Sequence, residues 1–316
     1  MKNNQHIITR ISNELGNQMF MYASTLGISK RINKTLLLDN ETAYLSRKNI
    51  SKYGLNNFKI SSNIAPNNFK FLGTAGYIKR TLFKKIDNII VKKKFYIEKK
   101  NKEKITQFDN SITSTMFANN VYFEGYFETE KYFTDIKDLI LKEFSFIDRE
   151  KFIKSPYFPK LNNSNSVSIC LRQNRFIEGK VDSNSTLNIQ KSSVFTNEQI
   201  IYINKAISYF KKIINNPTFF LWSNDIKNID LKLFNERITV VDHDKIFYST
   251  FDRRCLDLFL ISNCYNHIVI PSSFNWWGAW LSQKKNKIIL RPSDKNFSLF
   301  KVNNKDLWPS DWIEID

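Results

Sequence analysis

The sequence predicts an α/β protein built from two doubly wound, Rossmann-like parallel sheets. Three observations predict it. The first forty residues run strand, polar loop, helix, strand. The same rhythm restarts after a Pro/Ser/Asn-rich stretch near residue 160 and continues to Pro292. A chain of 316 residues with 42% hydrophobic and 15% aromatic content is long and apolar enough for one large or two ordinary packed domains.

In chain order, His6–Ser12 (HIITRIS) reads as a short strand and Asn13–Gln18 (NELGNQ) as the loop after it. Met19–Asn33 repeats apolar residues at helical spacing, and Thr35–Asp39 (TLLLD) is a second strand. Strand–loop–helix–strand opens a parallel sheet, because parallel neighbours need a crossover. Residues 53–160 are less regular and rich in Phe, Tyr and Lys. Ser155–Ser166 (SPYFPKLNNSNS) is the linker stretch, which divides the chain into domains at 1–160 and 161–316. Ser166–Arg172 is then a buried strand, and Thr196–Ile214 a helix with Thr196 as N-cap and Glu198 or Gln199 in its first turn. Strands follow at Pro217–Asp225 and Arg237–Asp244, a helix at Phe251–Cys264 and a strand at His267–Pro271. A helix at Ser273–Gln283 and a strand at Lys287–Pro292 close the pattern. Two such sheets facing one another make a central cleft, and ligands bind beyond the carboxyl ends of the strands.

The formal charge of +18 predicts an anionic partner. Bases concentrate between Lys79 and Lys104, where they alternate with apolar residues. That segment reads as a solvated helical face, as a docking surface for an anionic membrane, or as a nucleic-acid contact. The last reading lacks any recognised nucleic-acid motif, so no nucleic acid is expected. No apolar run reaches the ~18 residues of a membrane span, and the N-terminus has no apolar core of a signal peptide. Cys170, Cys255 and Cys264 form no metal-ligand or disulfide pattern. The expectation is a cytoplasmic protein with reduced thiols.

Four loops carry polar residues at the carboxyl edge: NELGNQ, RQNRFIEGK after the strand at 166, SND at 223–225 and PSS at 271–273. Ser272 and Ser273 open a helix with no acid in its first turn. Unpaired amides and a partial positive charge make a helix start an anion site. Capping accounts for one serine but less well for the pair. Arg172, at the end of its strand, suits a phosphate or carboxylate gripped bidentately, or an interdomain ion pair. Asp225 and Asp257 suit a base edge or ribose, or are ordinary acids. Asp242–His243–Asp244 has the form of a metal-binding D-x-D, but a turn uses these residues for ordinary reasons, and no metal is assigned. There is no P-loop and no dinucleotide fingerprint. Trp276 and Trp280 fall on one helical face with Trp277 beside it, a wedge for the core. Gly278 is expected to let that helix lie close to the sheet.

LGNQMFMYA (Leu15–Ala23), YFEGYFETEKYF (Tyr122–Phe133), WSNDI (Trp222–Ile226) and DLFLISNCYNHIVIPSSFNWWGAWL (Asp257–Leu281) keep one order along the chain. Together they resemble the sequence blocks of the bacterial α-1,2-fucosyltransferases, glycosyltransferase family 11. The resemblance implies a GT-B-like fold with an N-terminal acceptor-side domain and a C-terminal GDP-fucose-binding domain, the last residues packing back on the first domain. It implies Arg172, Ser272, Ser273 and Phe274 on the donor diphosphate, Asp257 on guanine, Asp225 near the nucleoside and Asn17 near the reacting carbon. Where the family shows H-x-R-R-x-D, this chain has Cys170–Arg175 (CLRQNR). The first arginine is kept; the histidine, second arginine and acid are not. One guanosine contact and the general base are thereby left open. Glu178 and Glu14 are the base candidates, Glu178 slightly preferred.

The implied activity is inverting, metal-independent transfer of L-fucose from GDP-β-L-fucose to the 2-hydroxyl of a galactose in a bacterial surface glycan, an O-antigen or capsule. No cofactor is implied. The basic segment would then dock a lipid-diphosphate-linked acceptor at the inner face of the cytoplasmic membrane. Two other classes compete: another nucleotide-sugar transferase on the same scaffold, and a basic polyanion- or lipid-binding protein.

Overall fold

Strands that are apolar along their whole length need cover on both faces, and the expected helices supply it. The computed structural model describes residues 5–45, 52–86, 92–99, 107–178, 186–242, 251–299 and 305–316. The chain divides into two units, Met1–Ile147 with Lys305–Pro309 and Asp148–Asn304 with Ser310–Asp316.

Unit 1 runs β1 (His6–Arg10), α1 (Leu15–Arg31), β2 (Thr35–Asp39), β3 (Asn63–Ile64), α2 (Gly73–Ile86), β4 (Lys93–Ile97), β5 (Phe117–Glu124) and α3 (Lys137–Glu143). Its strands are parallel in the order β3-β2-β1-β5-β4. The opening β1–α1–β2 keeps the expected order, but α1 begins at Leu15, so Leu15–Gln18, expected in the loop, form its first turn. The central partner of β1 is β5, which falls in the stretch where the sequence shows no clear rhythm. There Ala118–Asn120 break the apolar run, and burial is continuous only from Val121 to Glu124. Helix α1 is buried on almost every face. Its polar residues are satisfied inside: Tyr22 donates to Glu143 at 2.7 Å and Ser24 to the Phe127 carbonyl at 2.8 Å. Gly27 permits this closeness, since a Cβ there would stand 2.0 Å from the Tyr132 carbonyl oxygen.

Unit 2 runs α4 (Arg149–Phe152), α5 (Phe158–Leu161), β6 (Ser166–Leu171), α6 (Thr186–Ile213), β7 (Thr218–Ser223), β8 (Ile238–Val240), α7 (Arg253–Asn263), β9 (Asn266–Ile268), α8 (Ser273–Trp280), β10 (Ile289–Pro292) and β11 (Ile313–Ile315). The sheet is parallel, in the order β8-β7-β6-β9-β10-β11. This is the doubly wound order, and the succession reverses between β6 and β9.

Three sequence expectations differ here. The chain passes to unit 2 at Ile147/Asp148, ahead of residue 160, because Phe152 and Phe158 each pack a ring 5.6 Å from that of Phe259 on α7. Thr196 is not an N-cap: α6 already begins at Thr186, and the Thr196 hydroxyl donates back to the Ser192 carbonyl at 2.9 Å. Gly278 lies against α7 rather than the sheet, with a Cβ there 2.4 Å from Ile261 Cγ2. The tryptophan wedge is present. Trp276 and Trp277 are fully buried, and the Trp276 ring stacks on Trp280 at 6.0 Å and meets Trp312 at 5.5 Å. The C-terminal segment serves both units. Asp306 accepts from the Phe108 amide at 3.1 Å and pairs with Lys131 at 2.5 Å in unit 1, while β11 completes the sheet of unit 2.

Candidate functional site

In unit 2 the reversal point lies between the carboxyl ends of β6 and β9, where an open α/β sheet forms its ligand crevice. Arg172 is the residue after β6. Buried Gln199 of α6 fixes its backbone: Oε1 accepts from the Arg172 amide at 3.0 Å, and Nε2 donates to the Arg172 carbonyl at 2.8 Å. The guanidinium is half-exposed and pairs with Glu178 at 3.1 Å.

Beside it, the chain after β9 stays buried through Pro271 and opens into α8. Ser272 occupies the N-cap position but makes no side-chain cap hydrogen bond. The turn is held instead by buried Asn275, whose Oδ1 accepts from the Ile270 amide at 2.8 Å. Capping therefore does not account for Ser272. Ser273 and Phe274 are half-buried in the first turn, which holds no acid. A first turn without acids brings no negative charge of its own to the positive end of the helix dipole.

Arg175 stands where the family motif has its acid. Its Nη1 lies 3.5 Å from the Pro271 carbonyl, and its guanidinium sits 5.1 Å above the Phe195 ring. A second arginine thus reaches the start of the serine loop, although Gln173 has replaced the motif's own. Gln173 turns inward, donating to the Asp225 carbonyl at 2.6 Å and to Ser223 at 3.1 Å. Sequence reasoning counted Arg175 only as a departure. The sequence carries at most an indirect signal, the asparagine before Arg175, which in the structure takes a left-handed φ of 57°.

A cavity of about 310 Å³ opens beside these loops, lined among others by Trp222, Asp225, Lys227, Asp242, Arg253 and Asp257. It brings Asp225 and Asp257 together. The Asp225 carboxylate is partly engaged, accepting from Asn228 at 3.0 and 2.9 Å and from Asn174 at 3.1 Å. The Trp222 indole N–H is buried and has no partner. Cys170, in place of the motif's histidine, is buried, and burial pushes its thiol up. His267 is a core residue: burial holds its imidazole well below the ordinary value, and Nδ1 lies 2.8 Å from the Ser168 hydroxyl. His243 and Asp244 lie outside the described residues. Among the described residues no three His, Cys, Asp or Glu converge as a metal site requires.

Asn17 and Glu14 belong to unit 1. Glu14 is exposed at the N-cap position of α1 without a side-chain cap bond, and Asn17 is half-buried in the first turn. Gln18 is structural: it donates to the Asn13 and Lys52 carbonyls at 2.7 and 2.8 Å and accepts from the Gly54 amide at 2.8 Å. Past the carboxyl ends of β1 and β5, a cavity of about 340 Å³ is lined by residues including Arg10, Asn13, Glu98, Glu124 and Tyr126. Asn13, at φ 61°, donates to the Tyr126 hydroxyl at 2.7 Å. Glu98 accepts from the Tyr126 and Phe127 amides, both at 2.7 Å. Glu124 pairs with Arg80 and Lys84; burial raises its pKa, but those two cations outweigh it and hold the carboxyl below the usual range. The Arg10 Nε is buried and unpartnered. Asn13 opens the NELGNQ loop singled out from the sequence, but neither Arg10 nor Tyr126 was identified there as a site residue.

The family model described as Glycosyl transferase family 11 matches residues 1–316. An Escherichia coli α-1,2-colitosyltransferase is 27% identical over 313 residues, covering 98% of this chain and 99% of that protein. The Escherichia coli O-antigen biosynthesis glycosyltransferase WbnK is 24% identical over 321 residues, covering 96% and 99%. Among solved structures, the fucosyltransferase NodZ from Bradyrhizobium matches with a TM-score of 0.50 at 14% identity, over 87% of this chain and 91% of that one. A variant of Arabidopsis thaliana FUT1 in complex with GDP matches with a TM-score of 0.50 at 10% identity, over 99% and 76%. At those identities the likeness concerns the fold, which is of the GT-B type.

Proposed function

The chain belongs to glycosyl transferase family 11, and from that premise we propose that it transfers L-fucose from GDP-β-L-fucose to the 2-hydroxyl of a galactose, with inversion. The observation that carries the donor side is the convergence at the β6/β9 reversal point. There Arg172, Arg175 and the acid-free start of α8 supply cations and amides for a diphosphate. Structures of fold relatives hold GDP, which supports the same reading. Guanosine then occupies the neighbouring cavity, where Asp257 accepts from the base edge and Asp225 faces the nucleoside. The acceptor side belongs to the unit 1 cavity, with Arg10 and Tyr126 as its polar contacts and Asn17 near the reacting carbon. The O-antigen relative supports a surface glycan as acceptor.

In the reaction the galactose oxygen bonds to the anomeric carbon as the bond from that carbon to the β-phosphate oxygen breaks. GDP leaves with the electron pair, and the hydroxyl proton passes to a base, Glu178 first and Glu14 second. Charge builds on the leaving phosphate, where Arg172, Ser272, Ser273 and the Phe274 amide neutralise it without a metal. Thermal-shift measurements test this. GDP and GDP-fucose should stabilise the protein equally with and without EDTA, and UDP-sugars should not. Stabilisation by UDP-sugars alone would overturn the donor, and binding to polyanions without any nucleotide response would overturn the class. A second reading has colitose as the sugar transferred, favoured by the colitosyltransferase relative. Product analysis with both donors separates the two.

A further inference from the structure

Helix α2 carries its charges and its apolar residues on unexpected sides. Toward the sheet, Arg80 and Lys84 pair with Glu124, Arg80 Nη2 standing 2.6 Å from its Oε2. Phe83 is the apolar anchor, its ring 6.2 Å from that of Phe71 and packed on the unit 1 core. Away from the sheet, Ile78 and Leu82 are 62% and 54% exposed; Tyr77, 64% exposed, lies on the Lys84 side of the helix, and no residue of α2 is buried. A surface helix ordinarily turns its apolar stripe inward. Ile78 and Leu82 are four residues apart and so form one outward ridge, with exposed Lys85 beside it and exposed Lys79 on the flank. Exposed Ile97 and Lys94 on β4 add to the same composition in unit 1.

We propose that this face of α2 docks on an anionic lipid bilayer surface. Ile78 and Leu82 enter the boundary between headgroups and acyl chains, and Lys79 and Lys85 meet lipid phosphates. Arg80 and Lys84 are engaged by Glu124 and take no part. Charge selects this occupant: a second copy of a chain at +18, bearing the same lysines, repels the first, whereas an anionic leaflet attracts it. The inference is independent of the donor chemistry.

Co-sedimentation of the full chain with vesicles tests it, using equal parts phosphatidylcholine and phosphatidylglycerol against phosphatidylcholine alone. The protein should pellet with the mixed vesicles, not with the neutral ones, and less as salt is raised. The double variant Ile78→Asp, Leu82→Asp should lower partitioning by about tenfold or more. Lys79→Glu with Lys85→Glu should lower it by about tenfold. Both double variants should keep the thermal response to GDP and a melting temperature close to native, because Ile78, Leu82 and Lys85 are exposed and Lys79 contributes only a contact 5.6 Å above the Phe83 ring. A protein that stays in the supernatant, or variants that pellet like the native chain, would overturn the proposal. So would a native dimer by light scattering that Ile78→Asp, Leu82→Asp makes monomeric, since the face would then belong to a second copy.

Discussion

The Arg172 guanidinium and the Glu178 carboxylate form an ion pair at 3.1 Å, with both side chains more than a third exposed. An exposed pair contributes at most about 1 kcal/mol. If Arg172 grips the donor diphosphate as proposed, exchanging Glu178 for it costs little, and Glu178 would act as a weak internal competitor. Glu178→Gln should bind GDP a few-fold more tightly by calorimetry. As the base, its loss should also lower kcat by ~10²–10⁴. Glu14→Gln assayed beside it decides the assignment, and two fully active variants would remove both acids from the mechanism.

Arg172→Ala should reduce transfer by at least ~10²–10³, as expected for loss of a donor to developing charge. The melting temperature should hold, because the side chain is half-exposed and its pair is weak. Arg175→Gln should show a smaller loss, since its guanidinium also rests on Phe195. An Arg172→Ala enzyme with native kcat would sink the donor site.

Gln199 is a positioning residue. It is fully buried and satisfies both backbone groups of Arg172. Gln199→Ala leaves an amide and a carbonyl without partners, at about 1–3 kcal/mol. Melting temperature and kcat should fall together. Gln199→Glu keeps the acceptor and loses the donor, so it should recover part of both. Loss of stability without any change in kcat would show that Gln199 only packs.

Most of unit 2 was legible because its strands are continuous apolar runs flanked by turn residues, and the PSS and WSND loops follow them directly. Unit 1 was legible only through β2. β5 hides because Asn119 and Asn120 interrupt it, and β3 spans only two residues. Ser272 and Arg172 were readable as ends of strands and starts of helices. The roles of Gln199, Arg175 and Arg10 were not, because they depend on side chains meeting backbone far away in sequence, or on the lack of any partner. Thr196 misled because a Thr followed by Glu and Gln looks the same inside a helix as at its start.

Acid stability should report Glu124. Its folded pKa is depressed, because Arg80 and Lys84 outweigh the effect of burial. Such a group stabilises the fold fully above its unfolded pKa of about 4.3, and the contribution is lost as pH falls through the folded value. Urea melts should therefore show stability dropping below about pH 4. Glu124→Gln should be weaker than native at neutral pH, where two cations lose their partner, and should show a flatter acid limb. An unchanged acid limb would place the pH dependence elsewhere.

Gly27 and Gly278 make opposite demands on the fold. Both sit in helices, where alanine alone would gain about 0.5–1 kcal/mol over glycine. At Gly27 the new methyl would lie 2.0 Å from the Tyr132 carbonyl oxygen and 2.9 Å from its carbon. That obstacle is backbone, and Tyr132 and Phe133 beside it are buried, so it has nowhere to move. At Gly278 the obstacle is the Ile261 side chain at 2.4 Å, which can shift at the cost of repacking α7 against α8. Overpacking costs about 1–3 kcal/mol and more where backbone must yield. Gly27→Ala should lose the larger amount of stability in urea denaturation and leave GDP affinity per folded molecule unchanged, since the proposed donor site lies in unit 2. Gly278→Ala should lose less stability but weaken GDP binding, because displacing α8 moves the Ser272 and Ser273 end of the helix. Equal stability losses with equal GDP affinity would show that the two close approaches are interchangeable packing and that the seat of α8 does not set the donor site.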